Sequence, residues 1–83
     1  MYDRPDWMTN TDVLILVAMG SSNLIQVLSP TLLADNLGMT REHASRRLSE
    51  LERRGYVRKL EQGKYTLDTT GQEFLNGTFN HDS

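Results

Sequence analysis

Eight of the nine Lys and Arg residues fall between positions 41 and 64: Arg41, Arg46, Arg47, Arg53, Arg54, Arg58, Lys59 and Lys64. Only Glu42, Glu50, Glu52 and Glu61 oppose them there, while the rest of the chain carries one Arg against seven acids. A net charge of −2 thus hides a local excess of four positive charges. Arginine presents a planar fork of donors that fits guanine O6 and N7 or a phosphate, and lysine adds a mobile point charge. Clustered in one stretch, they are the electrostatic footprint of a surface for double-stranded nucleic acid. Catalytic chemistry has no comparable support. His43 and His81 are accompanied by no Cys and no spaced carboxylates, so neither a metal site nor a nucleophilic triad can be assembled. An enzyme is not expected, and no cofactor or small-molecule ligand is implied.

The cations must be held by elements that the sequence punctuates clearly. Thr9-Asn10-Thr11-Asp12 offers a helix cap with a carboxylate three residues on, followed by an apolar run from Val13 to Met19 that ends at Gly20-Ser21-Ser22-Asn23. Leu24 to Leu28 is a short β-prone segment. Ser29-Pro30 then starts a two-turn helix through Leu37, stopped by Gly38. Thr40 caps a third helix that Gly55 ends, with Glu42 in its first turn where the helix dipole favours an acid. At 100° per residue, Ala44, Leu48 and Leu51 form its buried stripe, and Glu42, Arg46, Ser49 and Arg53 gather on the opposite side, flanked by Arg41 and Ser45. Tyr56 to Leu60 and Tyr65 to Leu67 read as two strands joined by Glu61-Gln62-Gly63-Lys64. Thr70-Gly71-Gln72-Glu73 reads as a capping box for a short last helix through Phe74 and Leu75, with fraying from Asn76 onwards.

The length of 83 residues suits one domain near the lower limit for a core without metal or disulfide, and there is no Cys to supply either. We divide it into an arm (1–8), a domain (9–76) and a tail (77–83). The longest apolar run is seven residues, far short of the roughly 20 that span a bilayer. Met1 to Asp6 lacks the basic-then-apolar layout of a signal peptide, so a cytoplasmic protein is expected.

A helix-turn-helix followed at once by a two-stranded hairpin is a winged helix: an α+β, mostly α fold of three core helices, a wing and a short last helix. The sequence resembles the archaeal winged-helix regulators related to the phage phi-H repressor, and more distantly the MarR-type regulators. Trp7-Met8, Leu28-Ser29-Pro30, Ala34-Asp35-Asn36-Leu37 and Arg46-Arg47-Leu48-x-x-Leu51 carry the resemblance in the first half. Gly55-Tyr56-Val57, Gly63-Lys64-Tyr65-Thr66-Leu67 and Thr70-x-x-x-Phe74-Leu75 carry it in the second. It departs from haloarchaeal members in being far less acidic, and from MarR-type proteins in lacking their long terminal helices. The resemblance implies a transcriptional repressor.

On this reading Thr40, Arg41, Glu42, Ser45, Arg46, Ser49 and Arg53 belong to a helix entering the major groove, and Arg58, Lys59, Gln62 and Lys64 to a wing on flanking DNA. The plainer alternatives are a solvated helix laced by Glu42–Arg46 and Glu50–Arg54 pairs, and edge strands blunted by their charges. Arg47 and Arg54 border the buried stripe, where a structural pair with an acid such as Asp35 is as good a role as a DNA contact. The same fold also serves as a module for protein or RNA, or as a nonspecific architectural DNA binder. A homodimer built on the first and last helices is expected, with Trp7, Met8, Leu14, Val17, Phe74 and Leu75 at its interface; the plainer alternative is that they are core alone.

Overall fold

The computed structural model describes residues 4–21 and 27–79. The elements run α1 (Asn10–Ser21), β1 (Val27–Leu28), α2 (Pro30–Leu37), α3 (Arg41–Arg53), β2 (Val57–Lys59), β3 (Tyr65–Leu67) and α4 (Thr69–Phe79). The three strands form one antiparallel sheet in the order β1-β3-β2. Val57, Arg58 and Lys59 lie opposite Leu67, Thr66 and Tyr65, and β1 pairs with the other edge of β3. The fold is the winged helix-turn-helix that the sequence order implies; of the first β-prone segment, Leu24 to Gln26 lies outside the described residues.

Local chemistry explains most of the boundaries. Thr9 and Asp12 cap α1 reciprocally: the Thr9 N–H donates to Asp12 Oδ2 at 2.9 Å and the Asp12 N–H to Thr9 Oγ1 at 3.2 Å. Ser29 Oγ accepts from the Leu32 N–H ahead of α2, and Thr40 Oγ1 from the His43 N–H ahead of α3. Between those helices the chain turns through Gly38 in the left-handed conformation at φ 69°.

Three helix boundaries differ from the sequence expectation. Helix α1 passes through Gly20 to Ser21, because glycine weakens a helix by only about 1 kcal/mol. Here its bare Cα also admits Leu75 of α4, whose Cδ1 a Cβ would overlap. Helix α4 starts at Thr69 and extends to Phe79, past the fraying expected from Asn76. The cap is therefore Asp68, not Thr70: the Asp68 Oδ1 accepts the Thr69 N–H and its carbonyl the Gln72 N–H.

Helices and sheet share one core of Met8, Val13, Ile15, Leu16, Met19, Leu28, Leu33, Leu48, Leu51, Val57, Tyr65 and Leu75. The Tyr56 peptide joins three elements. Its N–H reaches back to the Leu51 carbonyl of α3 at 2.9 Å, and its carbonyl accepts the Asp68 N–H at 2.9 Å just before α4. A Cβ on Gly71 would overlap that same carbonyl oxygen, so α4 lies on the backbone where β2 begins.

Candidate nucleic-acid interface

The third helix has the two faces its sequence implies. Ala44, Leu48 and Leu51 are fully buried, and Arg41, Glu42, Arg46, Ser49 and Arg53 are exposed, with Ser45 half-buried between. Thr40 is exposed and spends its hydroxyl on the cap. The hairpin turn brings a second set of polar groups towards the start of this helix. Arg41 and Ser45 of α3 face Lys59, Gln62 and Gly63 of the hairpin across an open cleft of about 330 Å³, floored by Tyr65. Ser29, Pro30 and Thr31, at the first turn of α2, close its third side. Ser29 and Thr31 escaped the sequence reading because Ser29 is already accounted for as a cap, and a lone Thr in a first helical turn carries no signal.

Not every expected cation meets in this cleft. Arg58 alternates with Val57 and Lys59 along β2, so it leaves the opposite face of the sheet, while Lys64 is exposed and does not line the cleft. The turn itself is tight: the Leu60 N–H donates to the Lys64 carbonyl at 2.6 Å, and Gln62 sits at φ 66°, a left-handed conformation costly for a side chain with a Cβ.

The α3 arginines divide sharply by partner. Arg47 forks onto Asp12 of α1, its Nε 2.8 Å from Oδ1 and its Nη2 2.7 Å from Oδ2. Its partner is thus Asp12 and not Asp35, which is exposed on α2. The hydrogen bond to Asp12 raises the Arg47 pKa against the opposing effect of burial. Glu50 takes both Arg53 and Arg54, at 2.8 and 2.6 Å, and those bonds, that of Arg53 first, lower its pKa from 4.5 to about 2. The expected Glu50–Arg54 pair is therefore present, whereas Glu42 makes no ion pair with Arg46 among the described residues. Arg54 also lies over the Trp7 ring, 4.2 Å from its centroid. Arg41, Arg46, Arg58, Lys59 and Lys64 have no carboxylate partner among the described residues. Of the cations between positions 41 and 64, these five are the ones left to meet an anionic ligand. His43 is exposed, its Nε2 3.4 Å from Thr11 Oγ1.

The residues expected at a dimer interface are spread over different surroundings. Met8 and Leu75 are buried in the core. Trp7 and Phe74 pack edge-on against Tyr56, with ring centroids 5.4 and 6.2 Å away. Leu14 is 52 % exposed, and with Val13, Val17, Asn10 and Arg4 it lines a shallow apolar groove on α1. Among the described residues no helix is long and apolar enough to cross a membrane, and no group of acidic, His or Cys side chains could hold a metal ion.

This geometry agrees with what the chain is similar to. No curated protein matches its sequence. Among solved structures, the crystal structure of the PhiH1 repressor-like protein from Haloarcula marismortui superposes with a TM-score of 0.79 at 29 % identity, covering 93 % of this chain and 86 % of that one. The family model of winged helix-turn-helix phage repressors matches residues 1–83. The chain therefore belongs to the winged helix-turn-helix phage repressor family, a family of DNA-binding regulators and not of enzymes.

Proposed function

We propose that this protein is a sequence-specific transcriptional repressor that reads the major groove with α3 and blocks access to the DNA it occupies. The observation that carries the reading is Arg46, without a carboxylate partner among the described residues, on the exposed face of α3 directly opposite three fully buried apolar side chains. An arginine so placed is free to take guanine O6 and N7, the commonest specific contact to a base. Arg41, Lys59 and the hydroxyls of Ser29, Thr31 and Ser45 surround the adjacent cleft, a seat for the phosphates bordering that groove. Arg53 is held by Glu50 and contributes less than its position on the exposed face suggests. Selection of bound sequences from a random duplex library at fixed salt tests the reading. A recurrent motif is expected; recovery of unselected sequence would leave only nonspecific binding.

The apolar groove around Leu14 and Val17 supports a homodimer built on α1, with recognition helices at half-sites about 34–36 Å, or a multiple of that distance, apart. Two copies supply the contacts that one small module lacks for binding a single site within a genome. The selected motif should then be an imperfect inverted repeat. Sedimentation equilibrium decides it, since a monomeric mass both free and on a duplex refutes the dimer. The protein would work in the cytoplasm, alongside the DNA it regulates.

A further inference from the structure

Asp12 is the sole buried charged side chain among the described residues, and it has no accessible surface. Capping α1 requires a single carboxylate oxygen. Instead both oxygens are engaged: Oδ2 accepts the Thr9 N–H and Arg47 Nη2, and Oδ1 accepts Arg47 Nε. The first turn of α1 thus fixes the carboxylate, and the carboxylate fixes the plane of a guanidinium at the centre of α3. Arg47 stands between Arg46, which faces outward, and Leu48, which is fully buried.

At the middle of α3 the remaining contacts with the core, through Ala44, Leu48 and Leu51, are apolar and carry no direction; its other polar contacts, His43 with Thr11 at 3.4 Å and the Leu51 carbonyl with the Tyr56 N–H at 2.9 Å, lie towards its two ends. The apolar stripe of such a helix is about 100° wide, so a roll of about 20° keeps it buried. The same roll carries the helix surface, about 5–6 Å from the axis, through about 2 Å. A base contact must hold its donor–acceptor distance within about 2.7–3.2 Å, so it does not survive that movement. Hydrophobic packing alone therefore leaves α3 too free to read a base, and a two-point fork is the directional element that removes the freedom. Buried ion pairs contribute little net stability, and fixing register is their best-attested use.

We propose that Asp12 is a positioning residue for the recognition helix: through the fork on Arg47 it sets the roll of α3 and the direction of Arg46, and so governs discrimination between DNA sequences. The proposal rests on the reading of α3 as the base-reading helix. It assigns the pair no contact with DNA and no large part in stability.

The test compares the full chain with Arg47→Lys, and with the double variant Asp12→Leu/Arg47→Met, on the selected operator and on an unrelated duplex at several salt concentrations, with thermal melting in parallel. Lysine keeps the charge but loses the fork. Arg47→Lys is expected to melt cooperatively and to lose about tenfold of operator affinity, while binding to the unrelated duplex and the salt slope stay unchanged. The double variant also loses the acceptor of the Thr9 N–H, so it should melt cooperatively but below the wild-type temperature, and it should show the same loss of discrimination. Undiminished discrimination in folded Arg47→Lys overturns the proposal, whatever the double variant does. Equal losses on both duplexes in the double variant, with the slope smaller by about one, also overturn it, because Arg47 would then be a phosphate contact. Absence of any sequence preference in the wild type itself is a separate result, visible before a variant is made, that removes the base-reading assignment and this proposal together.

Discussion

Helix α3 and the hairpin bring cations to one cleft from opposite sides, yet they hold them by different means. On α3 and at Arg54 just after it, three of the five arginines are committed to carboxylates, and the helix stands on three fully buried side chains. On the hairpin Arg58, Lys59 and Lys64 have no carboxylate partner among the described residues, and they project from short strands around a turn that places Gln62 in the left-handed region. The contrast separates two tasks that a duplex-binding surface must combine. Base edges demand a donor held to within an ångström, whereas a phosphate accepts a flexible point charge from a range of directions. The braced element suits the first task and the unpaired, solvated one the second.

Removing the footing of α3 should give the largest effect. Leu48→Ala leaves a cavity beneath the helix and should cost about 2–5 kcal/mol of stability, measured by urea denaturation. That is a large fraction of the roughly 4–12 kcal/mol expected for a domain of this size. A loss below about 1 kcal/mol would mean that α3 does not depend on this contact. Arg46→Ala should leave the melting curve unchanged and weaken operator binding by about 1–3 kcal/mol, with relaxed preference at one base pair. Equal weakening on operator and unrelated duplexes would assign Arg46 to the backbone, erasing the difference between helix and hairpin.

Replacing Lys59 and Lys64 together with Ala should lower affinity on both duplexes alike and reduce the slope of log K against log salt by about two. Because only Lys59 borders the cleft, a reduction of about one would show that Lys64 stays in solvent. The smallest effect concerns the ion pairs. Glu50 has its folded pKa lowered from 4.5 to about 2, so its contribution is fully present above 4.5 and is lost as the pH falls through about 2. Denaturation midpoints of Glu50→Gln should therefore converge on those of the wild type between pH 5 and 2, and added salt should narrow the gap further because the pair is exposed.

Much of this molecule is legible in its sequence because the signals are local. Ser29, Thr40 and Asp12 cap helices within three or four residues of themselves, and Ala44, Leu48 and Leu51 declare a buried face by spacing alone. What lies between distant segments is not legible. Asp12 announces a helix start, but nothing near it indicates that Arg47, 35 residues on, completes its coordination. Trp7 and Phe74 read equally well as interface or core until Tyr56 is found between them. The start of α4 was misplaced because Asp68 and Thr70 are both good capping residues, and the choice is made by the Asp68 N–H bonding to the Tyr56 carbonyl. The cleft joins α2, α3 and the hairpin, and no single stretch of sequence contains it.

The Tyr56 peptide has a consequence for how the protein opens. Because its two ends are bonded to Leu51 and Asp68, and Gly71 rests on its carbonyl, the end of α3, the start of the sheet and the start of α4 share one set of bonds. None of the three can unzip without breaking what secures the other two. In native-state hydrogen exchange the amides of Tyr56 and Asp68 should accordingly report one common opening free energy, that of global unfolding, with the full denaturant dependence of that transition. The helix proposed to read DNA then has no private route to disorder: it is either part of a closed cooperative body or the whole domain is unfolded.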